Sequence, residues 1–127
     1  MQPTIFDGVT PDKTIAQEEV FGPVLAVLRV NDFDEAMKVA NGTKFGHTCS
    51  IYTSDANLIM KFTDCIEAGM VHINQPTIGG EAQLPFGGVK ATGYGQREMS
   101  EEGLNFFTEL KTVFFDYTGV KRQTNIY

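Results

Sequence analysis

The rhythm of apolar positions changes several times along the chain. Residues 1–17 show no period, and Pro3, Gly8 and Pro11 punctuate them; only Thr4-Ile5-Phe6 fits a short extended piece. Val24-Leu25-Ala26-Val27-Leu28-Arg29-Val30 is a nearly continuous apolar run of strand length, the pattern of a strand buried on both faces of a parallel sheet. Helical spacing follows. Asp32 reads as an N-cap with Glu35 three residues on, and Phe33, Ala36, Met37 and Ala40 fall on one face. Gly42 is placed to end that helix in the left-handed region. Thr48–Thr53 predicts a second strand. Ser54 predicts a cap for a second helix, with Leu58, Ile59, Phe62, Cys65 and Ile66 on its apolar face and Gly69 stopping it. Met70–Asn74 predicts a third strand.

Strands alternating with helices in the order β-α-β-α-β predict an α/β fold with right-handed crossovers and one parallel sheet. Ser100 then reads as the cap of a last helix through Leu104, Phe107 and Leu110, with Glu101 and Glu102 suiting its positive end. Residues 112–117, Thr-Val-Phe-Phe-Asp-Tyr, predict a final aromatic strand, either an edge strand of the same sheet or one that pairs with a second subunit.

Composition narrows the function classes. The 127 residues are 42% hydrophobic and 20% charged, enough for one domain with a core. The net charge of −6 argues against a nucleic-acid footprint or an anionic membrane partner. Two cysteines, Cys49 and Cys65, without a CxxC give neither a disulfide scaffold nor a zinc spacing, so no metal site is expected. No basic head with an apolar core opens the chain and no run of about 18 apolar residues occurs. A reducing cytoplasmic setting and no membrane span are therefore expected.

The stretch Leu84–Gly95 holds four glycines and one proline in twelve residues, with Phe86 near its head and Tyr94 near its foot. It reads as an ordered loop that places an aromatic ring. In parallel sheets ligands bind beyond the carboxyl ends of the strands, where the loop from Gln75 into this stretch begins. Gly88 and Gly93 lack the Lys-Ser/Thr of a phosphate-binding loop, and Gly93-Tyr94-Gly95 lacks the third glycine of a dinucleotide fingerprint. Cys65 on an apolar helix face and Cys49 in a strand are expected to be buried and inert. His47 and His72 are more often packed residues than catalysts. Asn74, at a strand end, either meets a ligand or bonds loop backbone. Glu18 and Glu19 point to opposite sides of an extended stretch, so they do not form a dyad; one faces water and the other could accept the hydroxyls of a ribose diol.

Three stretches together carry a resemblance. Glu18-Glu19-Val20-Phe21-Gly22-Pro23-Val24 looks like the EE(I/V)FGPV motif of the NAD(P)-dependent aldehyde dehydrogenase superfamily. Pro85–Glu98 resembles its PFGGxKxSGxGRE motif, departing by Thr92 in place of serine and by an extra Gln96 before Arg97. Glu109-Leu110-Lys111-Thr112-Val113 is similar to the segment leading into that family's last strand. The resemblance covers nearly the whole chain but only about the last quarter of the family. It implies that the Rossmann domain, the nucleophilic cysteine, the general-base glutamate and the oxyanion-hole asparagine lie on upstream sequence. Residues 1–110 would then be part of the catalytic domain, and 111–127 an oligomerisation strand and tail.

The resemblance further implies NAD or NADP as cofactor, held by Glu19 at the nicotinamide ribose and by Phe21 against the nicotinamide. It implies an aldehyde pocket walled by Phe86 and shaped by Gln75, Thr77 and Glu81. No catalytic residue is expected here, and the chain alone is not expected to oxidise aldehydes. The polar loop Gln75–Gln83 suggests a small hydroxylated or carboxylated aldehyde, in a homo-oligomer. The alternative is a non-enzymatic truncated paralogue acting as an oligomerisation module.

Overall fold

The computed structural model describes residues 2–120. Its strands are β1 Thr4–Phe6, β2 Val24–Ala26, β3 Phe45–Gly46, β4 Thr48–Ile51, β5 Met70–Ile73 and β6 Val89–Lys90. Its helices are α1 Thr14–Gln17, α2 Phe33–Asn41, α3 Ala56–Cys65 and α4 Ser100–Phe106. The α/β class is as expected, but the single parallel sheet is not formed. The strands make three separate pairs: β1 with β2 and β4 with β5 in parallel, and β3 with β6 antiparallel.

The reason lies in the first strand. The Thr4–Phe6 piece, not the 48–53 strand, takes up the ladder of β2, with Thr4 opposite Val24 and Phe6 opposite Ala26. Gly8 then turns the chain at φ 68, so β1 offers only three residues and regular pairing of the 24–30 run stops at Ala26. Two further bonds, from the Val27 amide to the Phe6 carbonyl and from the Val9 amide to the Val27 carbonyl, are all that extend it. Leu25 and Val30 are exposed rather than buried on both faces.

Helix signals were more faithful, though the caps shift. The Asp32 carboxylate accepts from the Glu35 amide at 2.8 Å, as its spacing requires. The Glu35 carboxylate reaches back to the Asn31 amide, also at 2.8 Å, one residue earlier than a standard capping box. Gly42 keeps φ at −77, outside the left-handed region. The last carbonyls of α2 need no such turn, because a side chain from β6 reaches them. Asp55, not Ser54, caps α3 by accepting from the Asn57 and Leu58 amides. The helix ends at Cys65, four residues before Gly69. Cys65 is exposed, against expectation, because the buried stripe of α3 centres on Phe62. The start of α4 lies at Met99, with Ser100 already its first residue.

Residues 112–117 form no strand in this chain. Among the described residues the segment joins no ladder, and every one of its side chains is exposed. The tail at 121–127 lies outside the described residues. Phe62, 4% exposed, is the one buried apolar side chain among the described residues. Pairs of strands cover too little surface to close a core on both sides.

Candidate functional site

Glu18 and Glu19 both line one cleft, rather than facing opposite sides as expected. Glu18 Oε1 takes an ion pair with Lys44 Nζ at 2.8 Å. The Glu19 carboxylate makes no hydrogen bond or ion pair among the described residues. Beside it Phe21 sits at φ 45, in the left-handed region that a bulky residue rarely adopts, with its side chain 90% exposed. Gly22 follows, and the Val24 amide donates to its carbonyl at 2.8 Å, closing the turn into β2. Glu19, Phe21, Ile15 and Val24 line a shallow cleft of about 320 Å³. An acceptor-only carboxylate and an aromatic face therefore stand next to each other, both without partners.

A second cleft, of about 360 Å³, lies between β5 and the loop that follows it. Met70, His72, Gln75, Ile78, Glu81 and Phe86 are among its walls. The loop is anchored at both ends. The Ser50 hydroxyl donates to the Gln75 carbonyl at 2.6 Å. Asn74, at φ 55, clamps Thr53 by accepting from its amide at 2.8 Å and donating to its carbonyl at 2.9 Å. Asn74 thus bonds loop backbone. At the far end Phe86 and Glu98 exchange amide–carbonyl bonds of 2.8 and 2.7 Å. The His47 ring meets the Phe86 ring edge-on at 5.1 Å.

Of the residues singled out from sequence, the structure groups Gln75, Glu81 and Phe86 in this cleft and Glu19 with Phe21 in the first. The two clefts share no lining residue, and Thr77 lines neither. A third groove of about 580 Å³, walled by Phe86, Tyr94, Arg97, Phe106 and Phe107, lies on the other side of the glycine-rich loop. Phe86 is common to the second and third cavities, so this ring separates them.

The glycine-rich loop owes its shape to close approach. A Cβ at Gly69 would collide with the Gly87 carbonyl, and one at Gly93 with the Gly88 carbonyl. Thr92, where the motif has serine, supplies a hydroxyl that donates to the Val89 carbonyl at 2.6 Å and accepts from the Gly46 amide at 3.2 Å. The substitution keeps the group that the turn uses. Arg97 Nη1 donates to the Gly88 carbonyl at 3.1 Å.

Sequence reasoning missed Lys90. Its ammonium, on a backbone at φ 54, donates to the carbonyls of Asn41 at 2.8 Å and Thr43 at 3.2 Å, and pairs with Glu67 Oε2 at 2.5 Å. The Glu67 amide donates to Asn41 Oδ1 at 2.9 Å, and Asn41 Nδ2 donates to the Cys65 carbonyl at 2.8 Å. One cluster thereby ties the ends of α2 and α3 to the loop that carries Phe86. Lys90 stood within a recognised motif, but nothing in its neighbours reveals partners 23 to 49 positions away. Burial pushes the Cys49 thiol up, which lowers its thiolate fraction and removes it further from a nucleophile's role.

Comparison with known proteins adds the frame. The family model described as "Aldehyde dehydrogenase family" matches residues 1–113. The alpha-ketoglutaric semialdehyde dehydrogenase of Bacillus subtilis is 48% identical over 114 residues, which are 90% of this chain and 23% of that protein. The alpha-ketoglutarate semialdehyde dehydrogenase of Haloferax volcanii is 48% identical over 118 residues, 92% of this chain and 24% of that one. Among solved structures, the P. syringae indole-3-acetaldehyde dehydrogenase in complex with NAD+ and IAA superposes with a TM-score of 0.79 at 40% identity, over 86% of this chain and 22% of that one. The chain thus spans under a quarter of the length of the relatives it matches.

Proposed function

This chain belongs to the aldehyde dehydrogenase family, and from that premise we propose that it forms the nicotinamide-positioning edge and part of the aldehyde pocket of an NAD- or NADP-dependent oxidation of an aldehyde to a carboxylic acid. The observation that carries the reading is the Glu19–Phe21 pair: a carboxylate without a partner beside an aromatic ring that is 90% exposed on a strained backbone. Such strain persists where the surroundings or a ligand compensate it.

The residues fit a dinucleotide. Glu19, as an acceptor-only group, receives the two hydroxyl hydrogens of the nicotinamide ribose. Phe21 offers a flat apolar face to the nicotinamide ring and limits its swing. NAD supplies the hydride acceptor. Phe86 walls the aldehyde side, with Gln75, Thr77 and Glu81 on the loop that sets its polarity. The semialdehyde relatives, with Gln75 and Glu81 among the walls of the second cleft, favour a small hydroxylated or carboxylated aldehyde. A homo-oligomer in the cytoplasm completes the proposal.

Glu19→Gln tests it, at the matching position of an intact relative. Losing a charge-assisted bond worth about 1.5–3 kcal/mol lowers kcat/KM roughly 10- to 100-fold. Steady-state reduction of NAD unchanged by this substitution removes Glu19 from the site. The 127-residue chain by itself is expected to give no aldehyde-dependent NAD reduction, and turnover by it would contradict the assignment of the reactive groups to other sequence.

A second reading, a non-enzymatic oligomerisation module, is favoured by the aromatic residues 113–117. Phe114 is 95% and Phe115 81% exposed, with no ladder of their own. Binding of NAD by the assembled protein separates the two readings, since a pure assembly module has no use for Glu19.

A further inference from the structure

Two carboxylates, Glu18 and Glu19, line the cleft beside Phe21, and no lysine or arginine stands among its described walls. The compensating charge comes from outside the cleft. Lys44, on the turn after α2, pairs its ammonium with Glu18 Oε1 at 2.8 Å. That ammonium also lies 5.1 Å from the centre of the Phe45 ring. The Lys44 carbonyl accepts from the Ala91 amide at 3.0 Å, which ties the turn to the glycine-rich loop. Beside the ion pair, Gln17 Nε2 donates to the Gly42 carbonyl at 3.3 Å and to the Pro11 carbonyl at 2.8 Å, so the corner before Glu18 hangs on the same turn.

The side chains of Lys44 and Glu18 are 53% and 55% exposed. An ion pair so exposed adds little to stability, so holding the fold is not its main effect. Its effect on the cleft is larger. An unpaired Glu18 puts a second negative charge next to Glu19, and like charges a few ångströms apart repel each other and any anion brought near them. Resting on the cofactor reading above, we propose that Lys44 is a positioning residue for the dinucleotide. By neutralising and holding Glu18, it leaves Glu19 as the single uncompensated acceptor of the cleft, which can then take a nucleotide of net negative charge. NAD is such a ligand, because its pyrophosphate outweighs its pyridinium charge. Nicotinamide riboside presents the same diol and ring with the pyridinium charge alone. The charge balance set by Lys44 therefore matters for the first ligand and not for the second. Lys44 acts through Glu18 and leaves the oxidative step untouched.

Titration of the 127-residue chain with NAD and, separately, with nicotinamide riboside, followed by the ring signals of Phe21, reads binding without any turnover. Lys44→Met is expected to weaken NAD binding roughly three- to tenfold at low salt, with the difference shrinking as salt is added. The same variant is expected to bind nicotinamide riboside at least as tightly as the unaltered chain. Lys44→Arg keeps the charge and is expected to keep NAD binding. Glu18→Gln combined with Lys44→Met removes both charges and is expected to restore NAD binding, which a pair that only tethers the turn does not allow. NAD binding indifferent to Lys44→Met, equal weakening of both ligands, or a double variant as weak as the single one overturns the proposal while the cofactor reading stands. No Phe21 shift with either ligand in the unaltered chain overturns both.

Discussion

At the scale of single residues, Phe21 carries two costs at once. A non-glycine residue at φ 45 is strained, and an aromatic ring 90% exposed forgoes its burial. Phe21→Gly is therefore expected to raise thermal stability, by about 1 kcal/mol from relief of the left-handed backbone, while removing the nicotinamide platform. A lower Tm would mean that the ring packs at home and serves no ligand. The two cysteines make an independent check. Cys65 is exposed, whereas Cys49 is half-buried with its thiol pushed up by burial. Iodoacetamide at mildly alkaline pH should label Cys65 first and Cys49 only slowly, with both labelled alike in denaturant. The raised Cys49 value has a further sign. The unfolded chain gives up this proton first, from about pH 8.5, while the native state still holds it. Stability is thus present below that pH and falls as pH climbs towards the native value. Cys49→Ser should flatten the alkaline limb of a urea-midpoint profile.

At the scale of elements, local signals were legible and pairings were not. The Asp32 cap, the Phe62 stripe and the strands at 48–51 and 70–73 follow from residues within a turn or two of each other, while the cap of α3 fell on Asp55, one residue after the expected Ser54. The partner of β2 depended on Thr4-Ile5-Phe6, which is 20 positions away and shows no period of its own. The one-sheet expectation failed there, because alternation of elements fixes direction but not neighbours. Of the candidate site, motifs singled out Glu19, Phe21 and Phe86, and the loop after β5 Gln75, Thr77 and Glu81, while the Lys90 cluster was invisible because its partners lie on α2 and the turns after α2 and α3. That cluster is the sharper test of what holds the Phe86 loop. Lys90→Met leaves the Asn41 and Thr43 carbonyls and the Glu67 carboxylate without their donor, in a side chain only 21% exposed. A loss of about 2 kcal/mol is expected, against about 1 kcal/mol for Asp32→Ala at the α2 cap. Urea unfolding midpoints give the ranking. If the cap variant is the weaker one, the loop is held by Thr92 and Arg97 instead.

At the scale of the whole molecule, apolar surface decides behaviour. Among the described residues Phe62 is the one buried apolar side chain, while Leu104, Phe107, Leu110, Phe114, Phe115 and Tyr117 all stand exposed in the last described stretch. Exposed apolar side chains in such number favour association. Among the described residues the segment at 112–117 belongs to no strand, and such a segment can add to a sheet edge elsewhere. Charge sets the opposing term. A net charge of −6 resists close approach, but screening shortens its reach to about 10 Å at 0.1 M salt. Association driven by burial should therefore strengthen as salt rises, the reverse of an ion-pair interface. Sedimentation velocity across protein concentration and salt is expected to show growing assemblies, and Phe114→Ser with Phe115→Ser to return the chain towards monomer. A monomer at high salt in the unaltered chain would mean that these aromatics are covered by something other than a second copy.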